Sequence, residues 1–324
     1  MTKRILSGVQ PSGKLHLGNY FGAIKEHIAL QEIAGAERFY FIADFHSLTT
    51  VQDAAKLREY VHGVAVDYLA LGLDPEKSVF FRQSDVPEVQ ELAWLLSTVT
   101  GIGLLERATS YKDKVSKGLK PSVGLFYYPV LMAADILIYK SNLVPVGQDQ
   151  IQHIEMTQDM AGYFNATYKT DVFVRPEAKL SSTPKVVGVD GEKMSKSYGN
   201  TIDLQGTEKE LKKVIMGIKT DSTPVDEPKN PDTDNVFSLY SLFASDEEKA
   251  ALAARYRAGG MGYGDAKKLL LEKVITYFAA YRVKRAELLA KPEHVNKVLQ
   301  DGASRARAVA RATLDEAKRA CGLL

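Results

Sequence analysis

The first half of the chain alternates short apolar runs with longer stretches whose apolar residues recur every three or four positions. "RILSGV" (4–9), "RFYFIAD" (38–44), "SVFFRQ" (78–83) and "LVPV" (143–146) are compact and apolar or aromatic, and are predicted as buried strands. Between them, "AAKLREYVHGVAVDYLALGL" sets Leu57, Val61, Val64, Tyr68 and Leu71 on one helical face. "PEVQELAWLLSTV" opens with Pro87, a residue suited to a first helical turn. After a turn at Gly147, Asp149 opens a further helix that runs through "IQHIEMTQDMAGYF". Regular β–α alternation predicts an α/β fold, a parallel sheet with helices on both faces. Such sheets bind ligands beyond the carboxyl ends of their strands. Residues 8–18, 44–46 and 147–150 fall at those ends.

Beyond about residue 180 the pattern changes. "LSSTPKVVGVDGEKMSKSYGNTIDLQG" is polar, glycine-containing and aperiodic, and is predicted as a long loop. Thr207 and Glu210 form a capping box that opens a helix. "TDSTPVDEPKNPDTDN", with three prolines, reads as a surface connection, and from Val236 the chain is almost wholly helical. The expected division is an α/β domain over residues 1–205, a smaller all-α region over 206–295, and a last helix over 296–324 that packs back on the first domain.

Composition narrows the function classes. With 45% hydrophobic and 25% charged residues in 324, a globular core is expected, and a net charge of +2 leaves only local basic patches as an electrostatic argument. The one cysteine, Cys321, excludes an intrachain disulfide and a thiolate cluster, as suits a reducing cytoplasm. The six histidines show no ligand spacing, so no protein-bound zinc is expected. No apolar run reaches about 18 residues and the first residues lack a leader pattern, so the expected protein is soluble and cytoplasmic, with no membrane span.

Two stretches carry candidate chemistry. "PSGKLHLGNY" places Gly13 and Gly18 in a strand-to-helix turn, where the backbone can approach a ligand and a helix start offers N–H groups to an anion. Taken alone, those glycines are explained equally well by an ordinary βα turn. "GEKMSKSYGN" places Lys193 and Lys196 three apart on a loop, a clamp suited to charge developing on a polyphosphate. A lysine–serine loop alone is also common surface.

Together, His16-Leu17-Gly18-Asn19 and Lys193-Met194-Ser195-Lys196-Ser197 resemble the two signature motifs of class I aminoacyl-tRNA synthetases. "GVQPSGKLHLGNYFGAI", "YYPVLMAADILIY", "VGQDQIQHIEMTQDMA" and "GYGDAKKLLLEKV" resemble, more narrowly, the bacterial tryptophanyl branch of that family. The resemblance implies a Rossmann-type catalytic domain over residues 1–205, an anticodon-binding function for the helical region and a homodimer. It implies ATP, L-tryptophan and tRNA(Trp) as substrates, with Mg2+ carried on ATP. His16, Lys193 and Lys196 take the catalytic positions. Gln10, Pro11, Ser12, Gly18 and Asn19 join the ATP site. So do Gly147, Gln148, Asp149 and Val186, together with Met194, Ser195 and Ser197.

For the amino acid, the resemblance implies Asp135, Met132, Tyr128, Gln150 and His46. Asp135 is the most telling of these, because an acid amid "VLMAADILIY" is costly to bury unpaired. One helical turn after Met132, its carboxylate can accept the indole N–H, the one polar handle of a tryptophan side chain. The alternative is an aspartate that caps a helix or pairs with a cation. Asn19 stands where many class I enzymes have a second histidine, and Tyr198-Gly199-Asn200 where many relatives read Asp-Pro. The cysteine-bound iron–sulfur cluster of some relatives has no ligands here. Arg305, Arg307, Arg311, Lys318 and Arg319 read as a solvated helix face, or as a contact to tRNA phosphates. Competing functions are a tyrosyl-tRNA synthetase, a non-tRNA nucleotidylyltransferase and a tRNA-binding paralogue without catalysis.

Overall fold

The computed structural model describes residues 3–116, 122–180 and 186–324. These form two compact units, one of residues 1–13, 29–181 and 291–324, the other of residues 14–28 and 182–290. The limits differ from a simple division at residue 205, because residues 14–28 and 182–205 belong to the second unit; the C-terminal helix belongs to the first.

The first unit is built on five parallel strands, β1 (Lys3–Val9), β2 (Ala36–Ile42), β3 (Val79–Arg82), β4 (Leu143–Val146) and β5 (Glu177–Leu180), in the order β3-β2-β1-β4-β5. This is a Rossmann-type sheet. Sequence reading missed β5, because "EAKL" has one apolar end residue and lies largely exposed at the sheet edge. The central strands are apolar on both faces, with residues 39–42 all buried, as a strand covered by helices on both sides requires. Gly8 is needed in β1 for space: a Cβ there would lie 2.5 Å from the Phe41 ring.

Among the helices of the layers are α1 (Ala54–Ala70), α2 (Glu88–Ser97), α3 (Val123–Leu137) and α4 (Ile151–Tyr168). An apolar core joins Leu6, Phe39 and Phe81 of the sheet to Leu92, Val130, Ile136 and Ile154 of the helices. The C-terminal helix, Pro292–Ala320, lays a stripe of Ala303, Ala306, Ala310 and Ala317 into this core. Gly302 lets its backbone touch β3, since a Cβ would sit 1.9 Å from the Phe80 carbonyl oxygen.

Of the basic residues of this helix, Arg305, Arg311 and Arg319 are exposed, as a solvated face requires, and Arg305, Arg307 and Arg311 are also paired. Arg305 donates to the Pro75 carbonyl (2.7 Å), and Arg307 and Arg311 both reach Glu88 (2.9 and 2.8 Å). Burial alone would raise the Glu88 carboxyl, but the two guanidiniums outweigh it and hold the group below the usual carboxylate range.

The second unit is helical, with helices over Glu208–Met216, Asp246–Ala258, Tyr263–Tyr277 and Ala279–Leu289. The Thr207–Glu210 capping box opens the first of them. Residues 17–28 enter this unit as a helix that widens to a π turn over Tyr20–Ile24, a feature often found beside functional sites. Tyr20 and Phe21 lock that turn into an aromatic cluster with Phe243, Tyr277 and Phe278, and the Tyr20 and Tyr277 hydroxyls lie 2.9 Å apart.

Candidate active site

Within the first unit, the strand register brings Val9, Ile42 and Arg82 to one level. The residues that follow them form a polar rim at the carboxyl edge. Gln10 reaches the His46 carbonyl (3.5 Å), and the Ser47 hydroxyl bonds the Pro11 carbonyl (3.3 Å). Ser12 follows directly. The loop after β2 is tied to the loop after β3 by Asp44, which accepts from the Ser84 hydroxyl (2.5 Å) and the Ser84 N–H (3.0 Å). Burial nevertheless pushes the Asp44 carboxyl up.

Asp135 projects from α3 into a buried polar cluster. It is 2% exposed, and its Oδ2 lies 2.9 Å from His46 Nε2. The Gln83 amide donates to both carboxylate oxygens, at 2.9 and 2.8 Å. Burial raises the Asp135 pKa, and the His46 and Gln83 bonds oppose that rise. It is a buried acceptor held between His46 and Gln83. Met132 packs against the core one turn earlier. The Tyr128 hydroxyl bonds His153 Nε2, and the Tyr128 ring stands edge-on to His46 (6.1 Å).

Past β4, Gly147 has ordinary extended backbone, and Gln148–Gln150 form a 3-10 turn that leads into α4. That turn precedes the helix expected to begin at Asp149.

Within the second unit, the two signature stretches meet. The Leu17 N–H donates to the Ile202 carbonyl and the Leu204 N–H to the Leu15 carbonyl, both at 3.0 Å. Asn19 Oδ1 accepts the His16 N–H (3.1 Å), which shapes the turn and leaves the Asn19 amide N–H groups for a ligand. The Gly18 N–H points to the Met194 sulfur (3.3 Å), and a Cβ on Gly18 would press on the His16 ring at 3.0 Å.

His16 is 5% exposed. Burial and then the Lys196 ammonium lower its pKa to about 4, so it is neutral at neutral pH. Its Nδ1 is buried and finds no hydrogen-bond partner among the described residues. An orphaned imidazole nitrogen beside a lysine loop is a ready contact for an anionic ligand.

The lysine loop is a folded hairpin. The Met194 N–H returns to the Val186 carbonyl (2.9 Å), Val187 pairs with Lys193, and Gly191 turns the tip at φ +91°. The Val186 side chain is itself buried. Asn200 fastens the hairpin: Oδ1 accepts the Ser195 N–H (2.7 Å), and Nδ2 donates to Asp190 (2.8 Å) and to the Lys193 carbonyl (3.1 Å). Lys193 is exposed, and the Ser195 and Ser197 hydroxyls lie 2.8 Å apart.

Sequence reading missed Gln83 and the bracing function of Asn200. The signal for Gln83 was its position, an amide that ends an apolar strand on the ligand-binding side. For Asn200 there was no local signal, because its partners come from both arms of a loop without periodicity.

A Rossmann-type sheet with a buried acceptor at its carboxyl edge, in a chain that also carries a histidine–glycine turn joined to a lysine loop, defines a nucleotide-using α/β enzyme. The family described as tRNA synthetases class I (W and Y) matches residues 2–279. A tryptophan–tRNA ligase of Rhodopirellula baltica is 54% identical over 321 residues, 99% of each chain. One of Fusobacterium nucleatum is 51% identical over 323 residues, covering 99% of this chain and 98% of that one. The crystal structure of tryptophanyl-tRNA synthetase from Campylobacter jejuni complexed with ADP and tryptophan matches with a TM-score of 0.93 at 50% identity, over 99% of this chain and 100% of that one. The chain belongs to the class I tRNA synthetases for tryptophan and tyrosine, in their tryptophan–tRNA ligase branch.

Proposed function

We propose that this chain activates L-tryptophan with ATP and transfers it to tRNA(Trp). The observation that carries the choice of amino acid is Asp135, a carboxylate 2% exposed, held by His46 and Gln83 at the carboxyl edge of the sheet. A tyrosine side chain ends in a hydroxyl that both donates and accepts, whereas indole N–H only donates, and Asp135 is suited to accept it. Met132 flanks the ring, and Tyr128 and Gln150 serve the substrate ammonium.

In the first step a tryptophan carboxylate oxygen attacks the α-phosphorus of ATP. The bond to the pyrophosphate oxygen breaks, which gives tryptophanyl-adenylate and pyrophosphate. No covalent enzyme intermediate is needed, so positioning and charge stabilisation suffice. Lys193 and Lys196 neutralise charge on the leaving phosphates. His16 contributes a neutral imidazole, and Gly18 and Asn19 contribute N–H groups. Met194, Ser195 and Ser197 shape the loop, Gln10, Pro11 and Ser12 border the nucleotide, and Gly147, Gln148 and Asp149 serve ribose and adenine, with Val186 near the base. Mg2+ enters with ATP as part of the substrate. In the second step the 2′-hydroxyl of the terminal adenosine attacks the tryptophanyl carbonyl, and AMP leaves.

We assign anticodon recognition to the helical region over residues 206–295. We also assign a cytoplasmic homodimer, supported by the apolar side chains of Trp94, Ile102 and Val123, which are 68%, 67% and 82% exposed. No helix among the described residues is long and apolar enough to cross a membrane. The test is aminoacylation of purified tRNA(Trp) and tRNA(Tyr) transcripts with labelled tryptophan and tyrosine. Charging of tRNA(Trp) with tryptophan alone supports the reading, and tyrosylation replaces it.

A further inference from the structure

Gln83 ends β3 and is 1% exposed, so its amide has no access to bulk water. Its Oε1 accepts the Phe45 N–H at 3.1 Å, while its Nε2 faces both oxygens of Asp135 at 2.9 and 2.8 Å. The opposite amide orientation would set carbonyl oxygen against carboxylate and NH2 against the Phe45 N–H, repulsive at both ends. Gln83 therefore has one workable orientation, and in it the side chain can only donate to Asp135. The Phe45 N–H is itself pinned, because Asp44 Oδ1 shares it at 3.1 Å while bonding Ser84 across the loop.

A buried carboxyl that takes up a proton would present an O–H donor to an incoming N–H, donor against donor. A fixed amide donor lying across both oxygens favours the charged, accepting form. His46 cannot fix this on its own, since a ring nitrogen donates or accepts according to its tautomer. We propose that Gln83 is a specificity-determining positioning residue: through its bonds to Asp135 it keeps that carboxylate an acceptor, and so makes the pocket select a ring N–H. The proposal rests on the assignment of Asp135 as the indole partner.

The test compares tryptophan with its benzothiophene isostere, in which sulfur replaces the ring N–H at nearly equal shape, as substrates for amino-acid-dependent pyrophosphate exchange. Gln83→Met keeps the length but removes the donor to Asp135; Gln83→Leu removes it at a different shape and guards against an effect peculiar to one side chain. Thermal unfolding verifies that each variant is folded. Both variants are expected to lower the kcat/KM preference for tryptophan over the isostere at least tenfold, with the KM for ATP unchanged. A wild-type preference in both folded variants, alongside a collapsed preference in Asp135→Asn, overturns the role of Gln83 alone. An unchanged preference in Asp135→Asn overturns the tryptophan-site assignment beneath it.

Discussion

Replacing Gly302 by alanine sets a general rule against a particular contact. In the interior of a helix, Gly→Ala ordinarily stabilises by about 1 kcal/mol, because alanine loses less backbone entropy on folding. Here the new Cβ would lie 1.9 Å from the Phe80 carbonyl oxygen, 2.7 Å from its carbon and 3.1 Å from its nitrogen. All three atoms belong to β3, which is hydrogen-bonded along β2 and has little freedom to yield. Ordinary contact begins near 3.4 Å, so the helix must lift by about 1.5 Å at this point. Such a lift loosens the alanine stripe behind it and stretches the 2.7 Å bond from Arg305 to the Pro75 carbonyl. Overpacking of this kind costs about 1–3 kcal/mol or more, and the lost hydrogen bond adds about 1. Net of the propensity gain, Gly302→Ala is expected to destabilise the first unit by about 1–3 kcal/mol. In thermal unfolding that is a fall in Tm on the order of 2–12 °C. An alanine variant as stable as wild type, or more so, would refute the close approach and with it the seating of the C-terminal helix.

Lys193→Ala and Lys196→Ala should each slow pyrophosphate exchange by about 10²–10³-fold, the usual loss for one charge-stabilising group, while tryptophan binding measured by equilibrium dialysis stays near wild type. Asn200→Ala should raise the KM for ATP and lower kcat without changing tryptophan affinity, because it unfastens only the lysine hairpin; normal ATP kinetics would remove it from the account. His16 and His27 both have their pKa lowered to about 4, chiefly by burial, against 6.5 when unfolded. Their contribution is complete above pH 6.5 and is lost as pH falls toward 4, by up to about 1.4 kcal/mol per pH unit for each histidine. Urea unfolding between pH 7 and 5 should therefore show falling stability, and His27→Gln should flatten that slope.

Much of this architecture is legible in the linear pattern, and the reasons differ by element. β1 to β4 are readable because central parallel strands are apolar on both faces, so "RFYFI" and "VFF" stand out. β5 is not, because an edge strand with polar residues looks like a loop until it pairs with β4. The histidine–glycine turn and the lysine loop are local motifs and could be quoted from the chain. Their physical connection is not local: the Gly18 N–H on Met194 and the strand-like pairing of residues 15–17 with 202–204 join segments far apart in sequence. Asp135 was conspicuous because an acid in an apolar helix needs a reason. Its partners were not, since His46 and Gln83 arrive from two other strand ends and only the sheet register brings them together. The basic run at the C-terminus reads as an exposed charged face, and Arg305, Arg311 and Arg319 are exposed. Its pairing is not local: Glu88, more than two hundred residues away, accepts from Arg307 and Arg311.

The most direct measurement is ATP–pyrophosphate exchange with each of the twenty amino acids, on the wild-type chain and on Asp135→Asn. The account predicts exchange with tryptophan alone in the wild type, and loss of that preference or of activity in the variant. Exchange with tyrosine, or tryptophan-dependent exchange that Asp135→Asn leaves untouched, would contradict it.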